Sequence, residues 1–321
     1  MKLLFTSLLL LVTNICFAQR QNVYFLKNNG KYVDVRDSAD YIRIVREPDS
    51  ASTLYNVFEF YLNGTKKLLG KSRSIDPPKY EGPCIAYYPT GIKQRLSYYK
   101  NNSKTGNETL YYPNGKPYLS LKYPDKETRE SEYRDDELIE SCNDSLGNAI
   151  VKNGNGYLKS YDDKFVYIEE EGNIKEGKRD GLWKGDFKNT HTTFTENYDN
   201  GKLLTGTATS EDGKTTTYTG SRRVLPQFKG GIEAFGRYLS RNIKYPDLAR
   251  QKGIQGRVIL SFVVEKNGDL SDIKINKSVI PLLDDEAIRV LRLSPKWIPA
   301  TQFGMPVRLV YSVPINFSLG N

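Results

Sequence analysis

The chain has 321 residues, 38% hydrophobic and 26% charged, with a formal net charge of +9. That is long enough for two or three domains with real cores and too apolar for a disordered chain. No block of five or more like charges occurs, which argues against a nucleic-acid-binding tail, and 23 Tyr beside only 2 Met and 2 Trp favour strands and turns over helices.

In chain order, MKLLFTSLLLLVTNICFAQ comes first. Lys2 precedes an apolar run from Leu3 to Val12, and Cys16-Phe17-Ala18 has the form of a cleavage site. The pattern predicts a secretory signal peptide over residues 1–18, cut after Ala18. The apolar stretch is shorter than the roughly 20 residues a spanning helix needs, so an uncleaved anchor is the alternative. Export leaves two states open for Cys84 and Cys142. One is a disulfide, worth roughly 4 kcal/mol in the chain-entropy model; the other is two thiols, since sequence does not set their separation.

Residues 19–222 repeat. YEGPCIAYYPTGIK (80–93) aligns with KTGNETLYYPNGKP (104–117), so that Gly82, Tyr87-Tyr88-Pro89 and Gly91 match Gly106, Tyr111-Tyr112-Pro113 and Gly115, all 24 residues on. EGKRDGLWKG (176–185) is followed by NGKLLTGTA (200–208), with Gly177-Lys178 and Gly201-Lys202 again 24 apart. Looser copies stand at 27–35 and 61–70. In each unit an Asn-Gly or Thr-Gly pair supplies the positive-φ turn of a hairpin, and the Tyr pair packs on a pleated face. Single hairpins are marginal, so neighbours must share a core. The repeats resemble the MORN-repeat variant, which implies an all-β, elongated hairpin array. At about 4.8 Å per strand, such an array would serve as a stiff spacer if the N-terminus stays uncleaved.

From Pro226 the pattern changes. Ile232, Phe235 and Leu239 recur at helical spacing, and Tyr245-Pro246 stops that helix. Val258, Leu260, Phe262 and Val264 alternate as a strand, Asn267-Gly268 turns the chain, and Ile273, Ile275 and Val279 line the returning strand. LLDDEAIRVLRLSP reads as a second helix, with Asp284, Asp285 and Glu286 near its positive end and Pro295 closing it. The last strand alternates most cleanly: Val307, Leu309, Tyr311, Val313, Ile315 and Phe317 face one way, Arg308, Val310, Ser312, Pro314 and Asn316 the other. The expected fold for 226–321 is α+β, in the order α-β-β-α-β, with two helices on one face of a three-stranded antiparallel sheet.

FKGG (228–231), NIKYPDLARQKGIQGRVILSFVVEKNGDL (242–270), LDDEAIRVL (283–291), PKWIPA (295–300) and VRLVYSVPINF (307–317) together resemble the C-terminal domain of the energy transducer TonB family. Gly253 and Gly256 are expected to permit the turn into the first strand, and Trp297 to cap the core beside Pro299. The resemblance implies that the last strand's exposed edge captures the TonB box, a short extended peptide of an outer-membrane receptor, helped by segments around the Tyr-Pro motif. Carried over by position, the edge is Val307, Arg308, Leu309, Val310, Tyr311, Ser312 and Val313, and the Tyr-Pro element is Asn242, Tyr245 and Pro246. The mechanism is β-strand addition. Inner-membrane, proton-driven motor proteins are further implied partners, and the implied location is the periplasm, with inner-membrane anchoring through the uncleaved N-terminus as the alternative. A second copy of the chain, forming a homodimer, or the repeats could instead cover the edge.

The chain departs from that family in having a hairpin array where a Pro-rich linker is usual. The rival to a transducer is therefore an unanchored periplasmic scaffold that holds a peptide without transmitting energy. An enzyme is disfavoured: the one histidine, His191, reads as an exposed strand residue, and no nucleophile elbow, P-loop, H-E-x-x-H or C-x-x-C occurs. No cofactor, metal or nucleic acid is implied.

Overall fold

The computed structural model describes residues 20–123 and 137–319, so the expected signal peptide lies outside the described residues. Among these, no helix is long and apolar enough to cross a membrane. The chain divides into two compact units, Met1–Gly156 with Glu176–Lys178, and Tyr157–Lys175 with Arg179–Asn321. The division falls inside the repeats, so the last hairpins and the C-terminal domain share one unit.

The first unit is an antiparallel array. Its strands are β1 (Gln21–Leu26), β2 (Tyr32–Val33), β3 (Tyr41–Arg46), β4 (Tyr55–Tyr61), β5 (Lys66–Ser72), β6 (Tyr80–Tyr87), β7 (Lys93–Lys100), β8 (Ser103–Tyr111), β9 (Pro117–Tyr123), β10 (Leu138–Asn143) and β11 (Ala149–Lys152). From β3 to β11 each strand pairs with the next, and β1 pairs with both β2 and β3.

The 24-residue period hides two kinds of turn. At Gly91, the Tyr88 N–H bonds to Ile92 O and the Gly91 N–H to Tyr88 O, both at 2.8 Å, and Gly91 has φ 86°. Tyr112 and Lys116 repeat this around Gly115 (φ 84°). These are three-residue loops whose glycine alone needs positive φ, and the preceding Asn114 instead accepts the Lys116 N–H. At Glu176-Gly177 and Asn200-Gly201 both residues have positive φ, as a two-residue turn requires. The tyrosine that opens each three-residue loop has a specific task as well. Tyr61, Tyr88 and Tyr112 donate their hydroxyls to Tyr87 O, Tyr111 O and Asn143 O at 2.9, 2.7 and 2.9 Å. Each tyrosine thereby ties its repeat to the next.

Of the two cysteine states, the structure has thiols: Cys84 and Cys142 are both free and buried. They lie on β6 and β10 with β7, β8 and β9 paired between them. Four strand spacings put them on the order of 19 Å apart, well beyond the roughly 7 Å Cα separation a disulfide tolerates.

The second unit begins in β12 (Asn155–Tyr161) and continues with β13 (Ile168–Lys175), β14 (Lys178–Phe187), β15 (Thr192–Asp199), β16 (Lys202–Thr209) and β17 (Thr215–Tyr218). β14 to β17 pair successively. After β18 (Arg223–Val224) come α1 (Gly231–Asn242), α2 (Asp247–Gln251), β19 (Gly256–Val264), β20 (Leu270–Lys277), α3 (Pro281–Arg292), β21 (Ala300–Gln302), β22 (Met305–Val307) and β23 (Leu309–Phe317).

The expected α+β architecture is present. Antiparallel β20, β19 and β23 form the three-stranded sheet, with β19 in the middle. Its inner face is closed by Phe235 of α1 and by Leu283, Ala287, Val290 and Leu291 of α3, packed on Val258, Leu260, Phe262, Val313 and Ile315. Trp297 is buried among Phe228, Phe235, Phe262 and Tyr311, its ring centroid 5.3–5.8 Å from theirs.

Four details differ from the sequence reading. A one-turn helix, α2, follows Pro246, because Pro246 starts a helix as readily as it ends one. Ile232 is 76% exposed, so α1 packs through Phe235 and the half-buried Tyr238 and Leu239. Gly256 is not a turn residue: a Cβ there would lie 2.8 Å from a Val279 methyl, so close packing demands glycine, whereas Gly253 (φ 63°) does make the turn. Finally, a second small sheet of β18, β21 and β22 takes Val307 out of the last strand.

Candidate functional site

β23 pairs with β19 along its whole length, from Leu309 opposite Val264 to Phe317 opposite Gly256. Among the described residues its other side has no strand partner. Which residues present backbone groups there follows from the ladder. In an antiparallel pair, alternate residues turn N–H and C=O toward the neighbour and the residues between turn theirs away. The Glu265 N–H bonds to Asp269 O at 2.9 Å, closing the turn between β19 and β20. Glu265 therefore faces β20, and Val264 faces β23. With the unbroken register between β19 and β23, Leu309, Tyr311, Val313 and Ile315 face inward; Val310, Ser312, Pro314 and Asn316 face outward. Pro314 agrees with this phase, since facing inward it would leave a gap in the ladder.

The predicted edge residues thus fall into three groups. Val310 and Ser312 offer their backbones outward, and Val310 is 65% exposed. Leu309, Tyr311 and Val313 spend their amides on the fold. Val307 belongs to β22, opposite Ala300, and Arg308 is the joint between the two strands. The Arg308 side chain is occupied: its guanidinium donates to Glu265 at 2.9 Å and to Asp272 at 2.7 Å. The Ser271 hydroxyl first, and then the Arg308 guanidinium, hold the Glu265 carboxyl below the usual carboxylate range.

The Tyr-Pro element sits at the opposite end of β23. The Tyr245 ring meets Phe317 edge-on at 5.9 Å, and its hydroxyl donates to Ile254 O. Asn242 donates to Tyr238 O at 2.8 Å, and its own carbonyl accepts from Arg289 at 2.7 Å. Pro246 precedes α2. Glu286, which sequence reasoning read only as a helix-end charge, accepts from the Lys244 N–H and from Arg289. Burial alone would raise its carboxyl, but those hydrogen bonds hold it below the usual range. The element is therefore fastened to α3 and braces the last strand.

The outer strand on the other side, β20, is guarded. Asp272 has φ 50° where the register with β19 shifts between Ser261 and Val263. Lys274 and Lys277 are exposed along it. A bulge and lysines are the usual means of spoiling an edge for pairing.

The start of β23 is anchored by a contact the sequence reading missed. At the tip of the β21–β22 hairpin, Phe303 is 4% exposed and packs on Phe187, Phe194 and Tyr218, with centroids 5.8, 5.2 and 5.8 Å away. The Phe303 N–H bonds to Arg222 O and its carbonyl accepts from Thr216 at 2.8 Å. Arg222 lies over Phe194 at 4.5 Å and ion-pairs with the buried Glu196 and with Glu170. The Phe303-Gly304 pair between short apolar runs is the signal that could have found the hairpin; its docking partners are too distant in sequence to read. His191 is a turn residue (φ 46°) rather than a strand residue, exposed, with Glu211 at 3.8 Å.

Residues 241–319 match the family model described as Gram-negative bacterial TonB protein C-terminal. The match runs from the end of α1 through β23 and leaves the hairpin array outside it. The chain is similar to the solution structure of the Helicobacter pylori TonB C-terminal domain, at 24% identity over 28% of this chain and 81% of that one, with a TM-score of 0.23. No curated protein matches. The likeness to the TonB C-terminal domain rests on the family-model match over residues 241–319.

Proposed function

We propose that this chain captures an extended segment of an outer-membrane receptor, the TonB box, by strand addition to the outer side of β23, in support of transport across that membrane. The observation that carries the reading is the asymmetry of the sheet: β23 is continuous and, among the described residues, has no strand partner on its outer side, whereas β20 is bulged and lysine-lined. Six backbone bonds at about 0.5–1.5 kcal/mol net each reach several kcal/mol before ordering costs. Micromolar capture takes about 8 kcal/mol, so side-chain contacts must add to the ladder. Location in the periplasm and engagement of a proton-driven motor belong to the same proposal. Both depend on the N-terminus: an intact Met1 in the membrane fraction fits a transducer, and a Gln19 start in the soluble fraction fits a scaffold that holds without pulling.

The test compares Val310→Pro with wild type in a pull-down by immobilised receptor plug peptides, alongside thermal unfolding. Val310→Pro removes an outward N–H and should abolish capture while the melting temperature stays within a few degrees. Undiminished capture by a folded Val310→Pro chain would overturn the proposal. Tyr311→Pro is unsuitable as a probe, because that amide belongs to the ladder with β19 and its loss should unfold the domain.

A further inference from the structure

The outward positions contain a second pattern. The Phe303 N–H bonds to Arg222 O, so Phe303 faces β18, and the neighbouring Gln302 and Ala300 face β22. Their partners Met305 and Val307 therefore face inward, and Pro306 faces outward. Counting by twos through the joint at Arg308, the outward series reads Pro306, Arg308, Val310, Ser312, Pro314, Asn316. All six are exposed. Both prolines of the segment thus fall on the outward phase, where a missing N–H harms no ladder of the fold. Between them stand three outward donors, the N–H groups of Arg308, Val310 and Ser312.

Building on the edge reading above, we infer that Pro306 and Pro314 fix the length and register of the segment the edge accepts. The occupant is a short extended stretch of a partner polypeptide, about five to seven residues in its paired core. Only alternate residues of that core join the ladder, whichever way it runs, so proline is excluded at those positions and tolerated between them. At Pro306 and at Pro314 the partner's carbonyl finds no donor, so the run of consecutive ladder bonds is interrupted at both, and past Pro314 only the Asn316 N–H faces outward before the strand ends at Phe317. A flat edge without such stops would invite longer pairing, including edge-to-edge growth between copies.

The experiment uses the full chain and a fluorescently labelled fifteen-residue receptor plug peptide, with a scan placing one proline at each position. Binding is expected to fail at alternate positions within one window of about five to seven residues and to persist elsewhere. Pro306→Thr and Pro314→Thr each restore an outward N–H. Each should tighten binding roughly two- to tenfold and lengthen the peptide stretch protected from hydrogen exchange, with thermal unfolding reporting that the fold is kept. Wild-type binding without alternation in the scan, or threonine variants with unchanged affinity and unchanged protected length, would overturn this inference and leave strand capture standing. If the wild-type chain binds no plug peptide while its sheet is intact, the edge reading itself falls.

Discussion

Cys84 and Cys142 show how far burial alone can settle a residue's chemistry. Burial pushes the Cys84 thiol up to about 11 and the Cys142 thiol up to about 12, so little reactive thiolate exists near neutrality. A maleimide at pH 7.5 is expected to leave Cys84 and Cys142 unlabelled in the native protein and to label both in denaturant without reductant. Residues that stay unlabelled in denaturant and take up label only after a reductant is added would mean a disulfide after all. Glu286 makes the complementary case for a carboxylate. Its folded value is depressed, so its contribution is complete above the ordinary glutamate value of about 4.3 and is lost as pH falls below that, through the lower folded value. Glu286→Gln should cost about 1–3 kcal/mol at pH 7 and much less at pH 3, read from urea unfolding at both. An equal cost at the two pH values would show that the charge does not matter.

Single elements were legible where one face of one strand or helix decides them. The alternation of 307–317 foretold the outer strand, and the Asn267-Gly268 turn stands where it was expected, with Gly268 at φ 84°. What alternation could not convey is the direction of the backbone groups, because side-chain period and hydrogen-bond phase both repeat every two residues and neither reports the other. It took two hydrogen bonds outside the strand, from Glu265 and Phe303, to set that phase. Glycine was misread for a related reason. Gly256 looked like turn chemistry, yet its lack of a side chain serves a contact with Val279, 23 residues on. Gly256→Ala is predicted to destabilise by about 1–3 kcal/mol, and adding Val279→Ala should recover part of that loss. If the double variant is no better than the sum of the singles, the close approach is not the cause.

Across the second unit, the C-terminal domain is built into the final hairpins rather than hung from them. Phe303 fills an aromatic socket on β14, β15 and β17, and Arg222 closes it with Glu196 and Glu170. Because the same hairpin delivers the chain into β23, the socket determines where the open edge begins. Phe303→Ala should cost about 3–5 kcal/mol and should raise amide exchange in 300–307 and 215–218, while β19 stays protected. Uniform loss of protection through β19 as well would mean that hairpins and domain unfold as one.

The residues themselves determined the repeat period, the α+β domain and its outermost strand, because each depends on local periodicity, turn chemistry or a motif contiguous in the chain. Only the tertiary structure decided which amides of β23 look outward, that Arg308 is already engaged, that the two cysteines sit too far apart to join, and that Phe303 locks the domain to the hairpins. Those facts arise from pairing and packing between segments tens of residues apart, and such contacts leave no periodic trace in either partner alone.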